Sequence, residues 1–215
     1  AYVYLQPDRL QPLLQNNASY NYKTIAASLA QRAGSWASFD IALKANELLL
    51  NGFVLPRKND VLAALSSQQP IAPTLFGAIP FDTRLFLHFG WSNLNDALPH
   101  FTDSARVNAL SAHAQLDLNQ YFVQQLTGEM VLGFRPGSKD DKVFFVAALK
   151  DSVSIHNALE ALSRPLEGTQ VRRIYDPLVS NMLPTLLGSA FRSIFDFHYV
   201  ILDNYLIVGN NVASV

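Results

Sequence analysis

A short apolar run, a polar residue able to cap a helix, and a Leu/Ala-rich helical stretch recur three times along this chain. The copies are Ala1–Leu14, Leu85–Leu98 and Val143–Leu159. In each, the apolar run stops at Asp8, at Ser92 or at Asp151-Ser152. The side-chain oxygens of these residues can accept from the free N–H groups of a helix's first turn. A repeated strand-helix element restricts the chain to a layered fold and describes architecture, not chemistry.

Between the copies the hydrophobic period changes. Ala37, Phe39, Ile41 and Leu43 fall on one face of an alternating run, with Ser38, Asp40 and Lys44 on the other or at its end, as in a half-buried strand. Asn46 marks a turn, Leu48-Leu49-Leu50 returns, and Asn51-Gly52 closes a β-hairpin over Ala37–Phe53. Phe195–Leu202 and Tyr205–Val208 repeat that design around the turn pair Asp203-Asn204 and end at Gly209. Glu129–Phe134 and Val143–Leu149 form a further hairpin, and Gln170–Tyr175 alternates as another strand.

Helical spacing predicts helices at Lys23–Arg32, Asp103–His113 and Asp117–Gln125, the last ended by Thr127-Gly128. Leu178–Phe191 is apolar and interrupted by Pro184 and Gly188, and is also read as helical. Hairpins separated by helices, without regular strand-helix alternation, predict an α+β fold. Its sheet is expected to be largely antiparallel, built from hairpins, with helices packed on one face. Residues 1–215 read as a single α+β region, with a possible internal boundary at 66–84, where Pro70, Pro73 and Pro80 interrupt any periodicity.

Charged residues make up only 15% of the chain, so its surface polarity comes largely from Asn, Gln, Ser and Thr. With 16 basic and 17 acidic residues and no run of like charge, it offers no electrostatic footprint for nucleic acid or an anionic membrane. The absence of cysteine removes disulfides, thiolate nucleophiles and Cys-ligated zinc. No stretch approaches the roughly 20 apolar residues that span a bilayer.

The five histidines, His88, His100, His113, His156 and His198, contain no i, i+4 pair and no H-E-x-x-H pattern, so no metal site is expected. Two clusters have the residue types of nucleophilic catalysis: His100 with Asp103-Ser104, and Asp151-Ser152 with His156. Neither serine has the flanking glycines of a nucleophile elbow, and helix capping accounts for both Asp-Ser pairs. No catalytic or cofactor-binding residue is assigned, because Gly137-Ser-Lys and Gly188-Ser-Ala lack the spacing of phosphate loops. The carboxylates Asp140-Asp141, and Asp117 with Glu129, read as solvated groups. Tyr2, Tyr4, Tyr20, Tyr22, Trp36 and Trp91 either fill the core or form an exposed patch for a protein, glycan or lipid.

The stretch Trp36–Phe53 (WASFDIALKANELLLNGF), followed by Ser67-Gln-Gln-Pro70, Ile79-Pro80 and Leu87-His-Phe-Gly90, resembles a known family. These are uncharacterised cell-envelope proteins of Bacteroides-type bacteria, grouped as a domain of unknown function. The resemblance is most specific over residues 35–100. It continues as a pattern through Gly128–Leu132, Phe144–Ala147 and Ala158–Leu162. It implies an N-terminal single-span or lipid anchor, an extracytoplasmic body longer than this chain, and no established activity or catalytic residues. In that setting Asp103-Ser104-Ala105 and Asp151-Ser152-Val153 also resemble the tripeptide at which such bacteria attach O-glycans, making Ser104 and Ser152 candidate modification sites.

The expectation is therefore a piece of a longer protein: a non-catalytic, envelope-anchored module for binding or assembly, periplasmic or otherwise extracytoplasmic. Its partner would be an envelope protein or a glycan, with contact to the membrane only through the anchor. The alternatives are a hydrolase using one of the Ser/His pairs, and a carrier of an apolar ligand.

Overall fold

Alternating apolar residues and short turns produce two antiparallel sheets in a computed structural model that describes residues 2–6, 36–44, 47–56, 61–137 and 142–215. The chain divides into two units, residues 1–67 and 68–215. The fold is α+β. The expected helix at Lys23–Arg32, the first-copy cap Asp8 and the turn residue Asn46 lie outside the described residues.

The first unit carries β1 (Tyr2–Leu5), β2 (Trp36–Leu43) and β3 (Leu48–Leu55) in the order β1-β2-β3, and a short helix α1 (Val61–Leu65). The β2-β3 hairpin runs two residues further than the sequence suggests. Gly52 does not close it but sits inside β3 opposite Phe39. A Cβ at Gly52 would meet the Ser38 carbonyl oxygen at 1.8 Å, so the glycine serves a close backbone approach and not a turn.

The second unit contains a seven-stranded sheet of order β4-β5-β6-β10-β9-β8-β7. Its long strands are β4 (Leu85–Gly90), β5 (Leu126–Arg135), β6 (Lys142–Leu149), β9 (Phe197–Leu202) and β10 (Tyr205–Gly209). The short strands β7 (Ser163–Pro165) and β8 (Arg172–Ile174) finish one side, where Pro165 blunts the edge. The triplet β4-β5-β6 has the order and sense of β1-β2-β3: a long connection, then a hairpin. The turn between β9 and β10 is Asp203-Asn204, with Asp203 at φ 52°, and Gly209 ends β10 where a Cβ would meet Ser214 at 2.5 Å.

Helices α2 (Leu94–Ala97), α3 (Ser104–Ala114), α4 (Leu118–Tyr121), α5 (Ser152–Leu162), α6 (Pro177–Ser180) and α7 (Met182–Leu187) accompany this sheet. Alternation places Met130, Leu132 and Phe134 on the same face as Phe145, Val208 and Phe197, all buried. Phe191 packs on that face tilted against Phe89 and edge-on against Phe145, and Phe122 meets Phe197 edge-on. On the opposite face Val131, Phe144, Val146 and Ala148 pack with Leu75, which belongs to a 3-10 turn, Leu75–Ala78. The division between the two units falls at residues 67 and 68, inside the proline-rich stretch 66–84, and Leu75 of that stretch is part of the core of the second unit.

Two local expectations differ. Thr127-Gly128 does not end a helix but lies within β5, at a register irregularity where Gly128 has φ 101°. Its Cβ would strike the Trp91 carbonyl oxygen at 2.2 Å. At the second repeat copy the cap is Asn93, whose side chain accepts from Asp96 N–H, whereas the Ser92 hydroxyl accepts from Gln69 N–H.

Candidate functional site

The Ser/His clusters resolve into helix caps. Asp103 Oδ1 accepts from Ala105 N–H at 3.0 Å, which places Ser104 at the first position of α3. Asp151 Oδ1 accepts from Val153 and Ser154 N–H at 3.0 and 3.1 Å at the start of α5. These bonds, with that from the Ser154 hydroxyl, hold the Asp151 carboxyl below the usual carboxylate range, the hydroxyl contributing most. The Ser152 hydroxyl faces Asn204 Oδ1 at 3.4 Å, and His156 faces Glu160 at 3.7 Å one turn along the same helix. Neither serine is hydrogen-bonded to the histidine of its cluster. His113 pairs with Asp176 at 2.8 Å, and Asp117 caps α4 rather than pairing with Glu129.

The buried polar centre of the second unit was missed in the sequence. Glu129, read as a solvated carboxylate, is buried on β5. Its Oε1 accepts from Thr74 N–H at 2.7 Å and Leu75 N–H at 2.9 Å, and lies 2.9 Å from His88 Nε2. Its Oε2 accepts from the Thr74 hydroxyl. Burial opposes ionisation, yet the hydrogen bonds from Thr74, Leu75 and His88 outweigh it and hold the carboxyl below its ordinary range. Arg135 adds a two-pronged pair to Asp82, at 2.8 and 3.1 Å, at the far end of the same proline-rich stretch. These groups fasten the stretch to the sheet.

At the opposite side, Arg173 pairs with Asp196 at 2.8 Å and lies over the Tyr175 ring. His198 is buried beside them with Nδ1 lacking a hydrogen-bond partner, 3.8 Å from Asp196. Burial, with help from the Arg173 charge, pushes its pKa down against the pull of Asp196. Among the described residues no group of three or more His, Cys, Asp or Glu could hold a metal ion.

The first unit shows a different kind of surface. Register places Tyr4, Ser38 and Phe53 side by side, with Trp36 opposite Leu55 on the same face. This is the face of β2 that its own alternation assigns to Ser38 and Asp40. Trp36 at the start of β2 and the neighbouring strands nonetheless give it large apolar groups: Phe53 is 86% exposed, Tyr4 69%, Leu55 62% and Trp36 49%. Together they line a shallow depression of about 240 Å³. The signal was available in the sequence only through pairing, because the apolar members come from three strands.

No family model, curated protein or solved structure matches the chain.

Proposed function

We propose that this chain is a non-catalytic module for binding or assembly, held at the bacterial cell envelope through an anchor outside the described residues. The observation that carries the reading is the open aromatic and aliphatic face formed by Tyr4, Trp36, Phe53 and Leu55. Exposed apolar groups gathered on one face leave surface that burial against a partner would stabilise by roughly 25 cal/mol per Å². The partner of this reading is another envelope protein. The capping geometry of Asp103 and Asp151 supports the absence of serine chemistry. The resemblance over residues 35–100 supports an extracytoplasmic, periplasmic-side location, with membrane contact only through the anchor.

The experiment is native electrophoresis of detergent extracts from cells producing the full-length protein, beside a Phe53→Ser, Trp36→Ser variant. The expected result is a high-mass species that the variant loses while its folded fraction is retained. A monomeric wild type would defeat the reading. Recovery of the protein in the soluble cytoplasmic fraction would remove the envelope location.

A further inference from the structure

A second surface lies on the helical layer of the other unit. A depression of about 340 Å³ is enclosed by residues of α2, α3, α4, α7 and the turn after α4. Its rim carries the side-chain amides of Asn95, Asn108, Asn119 and Gln124. None of these four amides makes a hydrogen bond with another described residue. Each offers two donors and an acceptor. Ser104 adds a hydroxyl, Thr102 an oxygen that can still accept while its proton is donated to the Leu98 carbonyl at 2.8 Å, and aliphatic side chains, among them Leu98, Val107 and Leu186, form the rest of the wall. Among the described residues no Asp, Glu, Lys or Arg lines the depression. Its volume falls within the range of small-molecule sites.

We infer that this depression is a binding site for a neutral, polyhydroxylated ligand, a saccharide unit. The argument is one of matching groups. Phosphates, carboxylates and cations are held most strongly by groups of opposite charge, and the described lining offers none. Side-chain amides present donor and acceptor on one plane, which matches adjacent hydroxyls that both donate and accept. The aliphatic wall offers contact to the C–H face of a sugar ring. A peptide strand would need unpaired backbone groups of a sheet edge, and this depression is walled by helices. Asn95, Asn108 and Asn119 are exposed and do nothing for the packing of the helices that carry them. This site does not depend on the apolar face of the first unit or on the partner proposed for it.

The test is a titration of the ¹⁵N-labelled chain with methyl glucoside, methyl galactoside and N-acetylglucosamine, followed by NMR of the side-chain amides. Inorganic phosphate and a blocked neutral tripeptide serve as alternative probes. The expected result is saturable shifts at Asn95, Asn108, Asn119 and Gln124 with at least one sugar, and about a tenfold loss of affinity in Asn108→Ala, Asn119→Ala. Alanine is the better helix former at both positions, so this variant keeps its fold. No shift with any of the three sugars, shifts that the double variant leaves unchanged, or saturation by phosphate or the tripeptide alone would overturn the assignment.

Discussion

The Glu129 carboxylate accepts a hydrogen bond from the Leu75 backbone N–H at 2.9 Å although 54 residues separate them. Leu75 is fully buried under the sheet, so its N–H has no water to turn to. Removing the carboxylate would leave two backbone donors and the Thr74 hydroxyl unpaired. Glu129→Ala is expected to cost about 3 kcal/mol in urea unfolding, whereas Thr74→Ala costs about 1 kcal/mol. Equal stability of wild type and Glu129→Ala would show that the fastening is not made in solution.

The same carboxylate gives stability a pH signature. Its pKa in the folded chain lies below the ordinary 4.5, so its contribution is present above that pH and is lost as pH falls through the lower folded value. Glu129→Gln should flatten the acid limb of the stability curve below about pH 4.5 relative to wild type. An unchanged slope would contradict this.

His198 acts in a higher window. Its pKa is pushed below 6.5 in the folded chain, so below that pH the unfolded state binds more protons and stability falls with falling pH. The fall begins near pH 6.5 and levels off once the folded-state pKa is passed. His198→Gln should remove this part of the slope, read from denaturant midpoints between pH 7.5 and 5.

These two groups also mark what the sequence could convey. Hairpin partners such as Phe197–Leu202 and Tyr205–Gly209 were legible because alternation and the Asp203-Asn204 turn are local signals. The caps Asp103 and Asp151 were legible for the same reason, whereas Asp117, read as a solvated carboxylate, caps α4. The role of Glu129 was not, since its partners Thr74, Leu75 and His88 come from distant parts of the chain. Gly52 misled because Asn-Gly reads locally as a turn that ends a strand, while here the Ser38 carbonyl oxygen across the ladder demands a glycine for space. The amide-lined depression is assembled from five segments, none of which is unusual alone.

Close packing across the sheet predicts a coupled pair. A Cβ on Gly133 would come within 2.1 Å of the Phe144 ring. Gly133→Ala should destabilise by about 2 kcal/mol, and Phe144→Leu in the same chain should return part of that loss, giving a non-additive double-mutant cycle. Strict additivity would mean that the ring does not occupy this space.

Capping and nucleophilic roles separate in α5. Asp151→Ala should lower the thermal midpoint, because Val153 and Ser154 N–H lose their acceptor. Ser152→Ala should leave it nearly unchanged, and a fluorophosphonate probe should add no mass to the wild type. A probe adduct lost in Ser152→Ala or Ser104→Ala would establish serine chemistry and end the non-catalytic account.

The most direct measurement places a photo-crosslinking amino acid at Phe53, in cells producing the full-length protein, with Glu167 as an exposed control outside the apolar face. The account predicts a discrete crosslinked envelope protein at Phe53 and not at Glu167, abolished when Trp36 and Leu55 are replaced by serine. Identical patterns at the two positions, or no product at Phe53, would contradict the claim that this face is a binding surface.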